Sequence, residues 1–216
     1  MNRDEKRNRY QDVLQNETAL IAYLDVTNMF HWQGVLGWRF RIESVIKQLL
    51  SLSSVKEVKA YYGINERDLQ SSLAFHKRIR LAGATLRSKP KKFIRKNIDQ
   101  AFLFKRSTRT LFNDGITAKI IELIEEIRKT GLVIEEPKCN FDVEMAMDII
   151  DDADKISGAI LYSGDSDMAA PLERLKLKGK KVYIVGVRNM TAGELHKVKD
   201  LYIDFGKFYD GKRNYL

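Results

Sequence analysis

Apolar residues run unbroken from Ala19 to Leu24 and stop at a carboxylate, Asp25. Such a run, with Ile, Tyr and Leu, suits a strand covered on both faces, as in a parallel sheet. The spacing then turns helical over Phe40–Leu52, where Ile42, Val45, Ile46, Leu49 and Leu50 share one face. Val58–Gly63 predicts a second strand, Asp68–Leu81 a basic helix, and Ala84–Arg87 a short third strand. Residues 88–114 show no clear period, with Ala101–Phe104 the one expected edge strand. Helical spacing returns at Ile116, Ile120, Leu123, Ile124 and Ile127, and Gly131 stands where a C-terminal cap belongs. An extended piece, Leu132–Pro137, leads into a helix over 142–153. Strand and helix then alternate: Ala159–Ser163, Pro171–Lys178, Lys181–Gly186, a short helix in Thr191–Lys199, and Leu201–Phe205. Alternation of this kind predicts an α/β fold, with a mostly parallel sheet between layers of helices.

The polar start, residues 1–17, reads as an appendage with a short helix around Tyr10–Leu14. Residues 18–210 read as one α/β domain and 211–216 as a tail. The chain has 216 residues, 44% hydrophobic and 31% charged, which is the composition of a soluble globular protein. One cysteine, Cys139, excludes an internal disulfide and a thiolate zinc site. No apolar run approaches the roughly 18 residues of a membrane span. The expectation is a cytoplasmic protein with no membrane attachment.

Charge changes the picture more. Between Lys77 and Arg109 stand twelve Lys and Arg against one acid, Asp99, so this segment carries +11 of a net +9 and the rest sums to −2. Basic residues gathered in one stretch are an electrostatic footprint for a polyanion. Residues 142–154 hold six acids and no base. In the 142–153 helix the apolar positions Val143, Ala146, Met147 and Ile150 are expected to face the core. Glu144, Asp148 and Asp152 would then face solvent.

Two strands end in acids: Tyr23-Leu-Asp25-Val-Thr-Asn28, and Leu161-Tyr-Ser-Gly-Asp165-Ser-Asp167. In open α/β sheets, sites form beyond the carboxyl ends of the strands where strand order reverses. Each such Asp is suited to capping the next helix. Several together repel, and a hard divalent cation with oxygen ligands relieves the repulsion. Asp142, at the start of its helix, is either a cap or a third contributor. His31, His76 and His196 are scattered, with no two at metal-ligand spacing.

Three segments in this order resemble the LabA-like NYN-domain proteins, relatives of PIN-domain ribonucleases. They are Tyr23-Leu-Asp25-Val-Thr-Asn28, Asn140-Phe-Asp142-Val-Glu-Met-Ala-Met-Asp148, and Tyr162-Ser-Gly-Asp165-Ser-Asp167-Met, followed by Leu175 to Gly186. The first block departs from the family pattern at Val26 and Thr27, the second at Phe141 and the third at Met168. The resemblance implies a PIN-like three-layer sandwich with a central sheet of about five strands. It also implies that Asp25, Asp142, Asp165 and Asp167 gather to hold one or two magnesium or manganese ions and hydrolyse RNA. Asn28 would bond a ligand carboxylate or the scissile phosphate, while Thr27, Ser163 and Ser166 orient neighbours.

The substrate implied is RNA, single-stranded by preference, with Lys89, Lys91, Lys92, Arg95 and Lys96 tracking phosphates and Phe93 offering a stacking surface. Whether Asp148 joins this set is left open, and the resemblance admits a homodimer. Two rivals stand beside it. One is a PIN-like module that binds RNA or protein without cleaving, which the Val26-Thr27 departure favours. The other is a phosphatase similar to the HAD type, which wants an acid where Thr27 stands.

Overall fold

The computed structural model describes residues 3–97, 122–123, 126, 129–130 and 133–209. The expected strand at Ala101–Phe104, most of the helical face at Ile116–Ile127, Gly131 and the tail 211–216 lie outside them. The chain divides into two compact units, 1–89 with 140–216, and 90–139.

The larger unit is built on a sheet of six parallel strands: β1 (Leu20–Asp25), β2 (Val55–Tyr61), β3 (Thr85–Arg87), then β6 (Gly158–Tyr162), β7 (Lys181–Gly186) and β8 (Leu201–Asp204). Their order is β3-β2-β1-β6-β7-β8. The chain winds outward from β1 in one direction and from β6 in the other, so strand order reverses between β1 and β6. The sheet is one strand wider than expected, because Leu201–Asp204 pairs in register with β7 as a full edge strand.

Paired residues of parallel strands share a face, and the face alternates along each strand. Leu20, Ala22, Leu24, Val58, Ala60, Ile160 and Tyr162 point into one hydrophobic core. That core is closed by α1 (Arg3–Gln15), α2 (Val26–Leu36), α3 (Ile42–Leu50), α4 (Leu69–Leu81) and α8 (Phe205–Phe208). The opposite face, through Ile21, Tyr23, Ala159, Leu161, Val182 and Ile184, is equally buried. Its helices are α5 (Asp142–Asp151), α6 (Ala169–Leu177) and α7 (Gly193–Val198), so this is a three-layer sandwich. Burial on both sides is why β1, β6 and β7 read as continuous apolar runs rather than alternating ones. Helix α1 is longer than the piece expected around Tyr10–Leu14, and its Leu14 is fully buried in the core.

The smaller unit contains an antiparallel pair, β4 (Lys92–Asn97) with β5 (Val133–Lys138), in which Arg95 faces Glu135. Lys91, Lys92, Arg95 and Lys96 belong to this unit, whereas Lys89 belongs to the larger one.

Helix α5 departs from the sequence expectation. Met145, Asp148 and Ile149 are its buried residues, with Asp152 just beyond its end, while Val143 and Met147 are 69% and 60% exposed. Asp148 and Asp152 are turned inward and Val143 and Met147 face water, while Glu144, Ala146 and Ile150 are half-buried. Burying carboxylates is tolerated here because each meets cations and hydroxyls. Arg87 grips Asp148 with two bonds of 3.0 and 2.8 Å, and the Tyr61 hydroxyl donates to it at 2.7 Å. Asp152 accepts from the Tyr23 hydroxyl at 2.9 Å and from Lys59 at 2.5 Å. Burial alone would raise the Asp148 pKa, but Arg87, Tyr61 and Lys59 outweigh it and hold the carboxyl below its usual range.

Candidate metal centre at the sheet switch point

The carboxyl ends of β1 and β6 stand side by side where strand order reverses. Asp25 closes β1 and caps α2: its Oδ1 accepts from the Asn28 N–H at 2.9 Å. Asp165 follows β6 and caps a short turn, accepting from the Asp167 N–H at 3.0 Å. Capping and site placement therefore coexist, since a cap of this kind uses one carboxylate oxygen. Ser163 lies between the two, its hydroxyl 3.4 Å from Asp25 Oδ2 and accepting from the Asp165 N–H at 3.2 Å.

Asn28 ties the two strand ends together. Its Oδ1 accepts from Gly164 N across the switch point at 3.2 Å and from Trp32 Nε1 at 2.9 Å. Trp32 is fully buried, so the amide is anchored from the core side. Gly164 is required by close approach, because a Cβ there would lie 1.8 Å from the carbonyl oxygen of Met190.

Asp142 is the first residue of α5, with Phe141 in the cap position. Its N–H is held by Asn140 Oδ1 at 2.7 Å, a partner that sequence reasoning assigned no role. This places the side chain beside those from β6. Asp142, Asp165 and Asp167 each offer an oxygen, and the three lie within 4.8 Å of one another. Asp25 stands next to this triangle rather than in it, near enough for charge to couple. Burial, then the charges of Asp142 and Asp165, push its pKa up to about 6 against the pull of Asn28 and Ser163. Asp142 is raised too, by burial and then by Asp165 and Asp167.

Among the described residues, none of these four aspartates enters an ion pair. An all-oxygen, all-carboxylate donor set left without cationic partners suits a hard divalent ion such as magnesium or manganese. The neighbouring acids are otherwise engaged. Glu144 pairs with Lys89, which holds its carboxyl below the usual range. Lys89 also lies 4.8 Å from the centre of the Phe141 ring. Asp148, which the sequence left undecided, is committed to the sheet as described above. Of the other basic candidates, Arg95 pairs with Glu135 at 3.1 Å and Lys92 is exposed. The buried partners Tyr23, Lys59 and Tyr61, and the half-exposed Arg87, were not foreseen. A lysine within the apolar run Val58–Gly63 was the available signal, because a covered strand tolerates one only opposite an acid.

A parallel α/β sandwich with an acidic pocket at its switch point is the PIN-like class of fold. Residues 108–206 match the model of the NYN domain. The chain is 24% identical over 187 residues to the low amplitude and bright protein LabA of Synechococcus elongatus, covering 87% of this chain and 83% of LabA. It is also similar to the crystal structure of a protein of unknown function from Vibrio parahaemolyticus. That match has a TM-score of 0.57 and 22% identity, over 88% of this chain and 95% of the other. Both sequence matches agree with the resemblance to LabA-like NYN-domain proteins. No helix among the described residues is long and apolar enough to cross a membrane.

Proposed function

We propose that this protein is a divalent-metal-dependent ribonuclease that hydrolyses phosphodiester bonds of RNA. The observation that carries the proposal is the triangle of Asp142, Asp165 and Asp167, whose oxygens lie within 4.8 Å of one another. The match of residues 108–206 to the NYN domain supports a nuclease, and the donor set supports magnesium or manganese.

Asp142, Asp165 and Asp167 would hold the ion, and Asp25 would share a second ion or accept a proton. A bound cation supplies charge neutralisation at the phosphate and acidifies water, as in other metal-assisted hydrolyses. The protein's own part is positional. Ser163 and Asn28 fix the ends of β1 and β6 relative to each other, and Asn140 fixes the start of α5. Asp25, with its pKa pushed up to about 6, suits proton transfer near neutral pH. Lys91, Lys92, Arg95 and Lys96 would add phosphate contacts from the smaller unit.

The test is cleavage of end-labelled single-stranded RNA in manganese, magnesium or EDTA, with Asp165→Asn alongside. Cleavage that needs the metal and is lost in the variant supports the proposal. RNA that binds but stays intact under every metal condition overturns it in favour of a non-cleaving binding module.

A further inference from the structure

Two open grooves flank α2 on the side of the sheet away from α5. One, of about 510 Å³, is lined by Phe30, Phe40 and Phe75 with Arg41, Arg78 and Glu43. The other, of about 460 Å³, runs from Phe30 along Gly34 to Gly37, Trp38 and Arg39. Phe30 lines both, so the two grooves adjoin at its ring, and we treat them as one path.

We propose that this path binds the single-stranded RNA flanking the cleavage site, with bases against Phe30, Phe75 and Trp38 and phosphates on Arg39 and Arg41. The proposal rests on the ribonuclease reading and extends it to a surface the basic segment does not include.

Its position supports this. Asp25 and Tyr61 are register partners at the carboxyl edge of the sheet. The next residue, Tyr62, packs against Phe30 and Phe75, with ring centres 5.7 and 5.0 Å away. Phe30 lies five residues beyond Asp25, about 7.5 Å along the helix axis. Phe30, the lining residue that the two grooves share, thus stands about one and a half helical turns from the acidic edge.

Its chemistry agrees. Among the described residues, three arginines and one acid, Glu43, line the two grooves, and Glu43 pairs with Arg78 at 2.6 Å. Arg78 also sits 5.4 Å from the centre of the Phe75 ring. Trp38 stacks nearly parallel to Tyr209, 5.9 Å between centres. Aromatic surfaces set among guanidinium groups serve single-stranded nucleic acid, because every base has a face to stack and every step carries a phosphate. A protein partner would favour a groove core poorer in charge.

Gly34 provides a clean block. It is exposed within α2, and an added Cβ meets nothing within 4 Å. Gly34→Glu therefore keeps the fold and puts bulk and negative charge into the path. Binding of a labelled single-stranded oligoribonucleotide is measured in EDTA, so that nothing is cleaved, across a salt series.

Gly34→Glu is expected to weaken binding by roughly tenfold or more, with its melting temperature unchanged or raised. Arg39→Ala/Arg41→Ala is expected to lower the salt slope by about 1.4, the loss of two single-strand phosphate contacts. Wild-type affinity and slope in both variants overturn the proposal and leave the path to a protein partner. No binding by the wild type overturns it as well. The metal site is judged separately by its thermal shift in manganese, so the two readings fail independently.

Discussion

One helix carries two acidic groups that end in opposite states. At the start of α5, Asp142 joins Asp165 and Asp167 with no cation of the protein paired to them among the described residues. Farther along, Asp148 and Asp152 are buried under Arg87, Lys59 and two tyrosine hydroxyls. The directions of titration follow: Asp142 and its neighbour Asp25 are raised, and Asp148 is lowered. Carboxylates that the chain neutralises itself hold the helix to the sheet. Those it leaves crowded and unneutralised are available to a cation from outside.

The largest effect expected of that contrast is at the outer group. Asp165→Asn should reduce RNA cleavage roughly thousandfold, the upper end for loss of one electrostatic contributor. It should also abolish stabilisation by manganese, read as a melting-temperature shift, and leave stability in EDTA unchanged or slightly higher. If the variant keeps the manganese shift, the triangle is not where the ion binds.

The inner group should behave the other way. Asp148→Ala leaves the Tyr61 hydroxyl and the Arg87 fork without their partner. Breaking a buried pair costs about 3–5 kcal/mol, and the half-exposed Arg87 puts this case near 3 kcal/mol. For a chain of this length that lowers the melting temperature by about 6–12 °C. Manganese should not restore it. A loss within surface-mutation scatter in urea denaturation would remove the distinction between the two groups.

A smaller effect separates them by pH. Asp25 has a folded pKa of about 6 against an unfolded value of 3.8. The folded state therefore holds the extra proton between these values, and stability falls as pH rises through that window. The full penalty above pH 6 is on the order of 2–3 kcal/mol. In EDTA, Asp25→Asn should match the wild type below pH 4 and exceed it above pH 6. Manganese should stabilise the wild type increasingly over the same rise. Parallel urea curves for the two proteins from pH 4 to 7 would falsify the assignment of this titration to Asp25.

Much of the outer group was legible because it is local. The run ending at Asp25 and the Ser163-Gly-Asp165-Ser-Asp167 block each fix a strand, its end and a carboxylate within a few residues. The inner group was not, because the partners of Asp148 lie 61 and 87 residues away at Arg87 and Tyr61. Helical period alone offers α5 two stripes, Val143 with Met147 and Met145 with Asp148. Hydrophobicity then selects the first. Lys59 tips the outcome: a cation on the covered face of β2 must be answered by acids, and α5 turns its acidic stripe inward to answer it.

The smallest expected effect tests that inversion directly. Met147 is 60% exposed, where the sequence pattern assigns it to the core. Truncating a core methionine costs roughly 2–5 kcal/mol. An exposed one is replaced within about 0.5 kcal/mol. Met147→Gln keeps helix propensity and side-chain length, so urea denaturation isolates burial as the variable. A change within about 0.5 kcal/mol is the expected result. A loss of 2 kcal/mol or more would mean that the apolar stripe is covered in solution, and that the acidic stripe owes its burial to less than Lys59 and Arg87 provide.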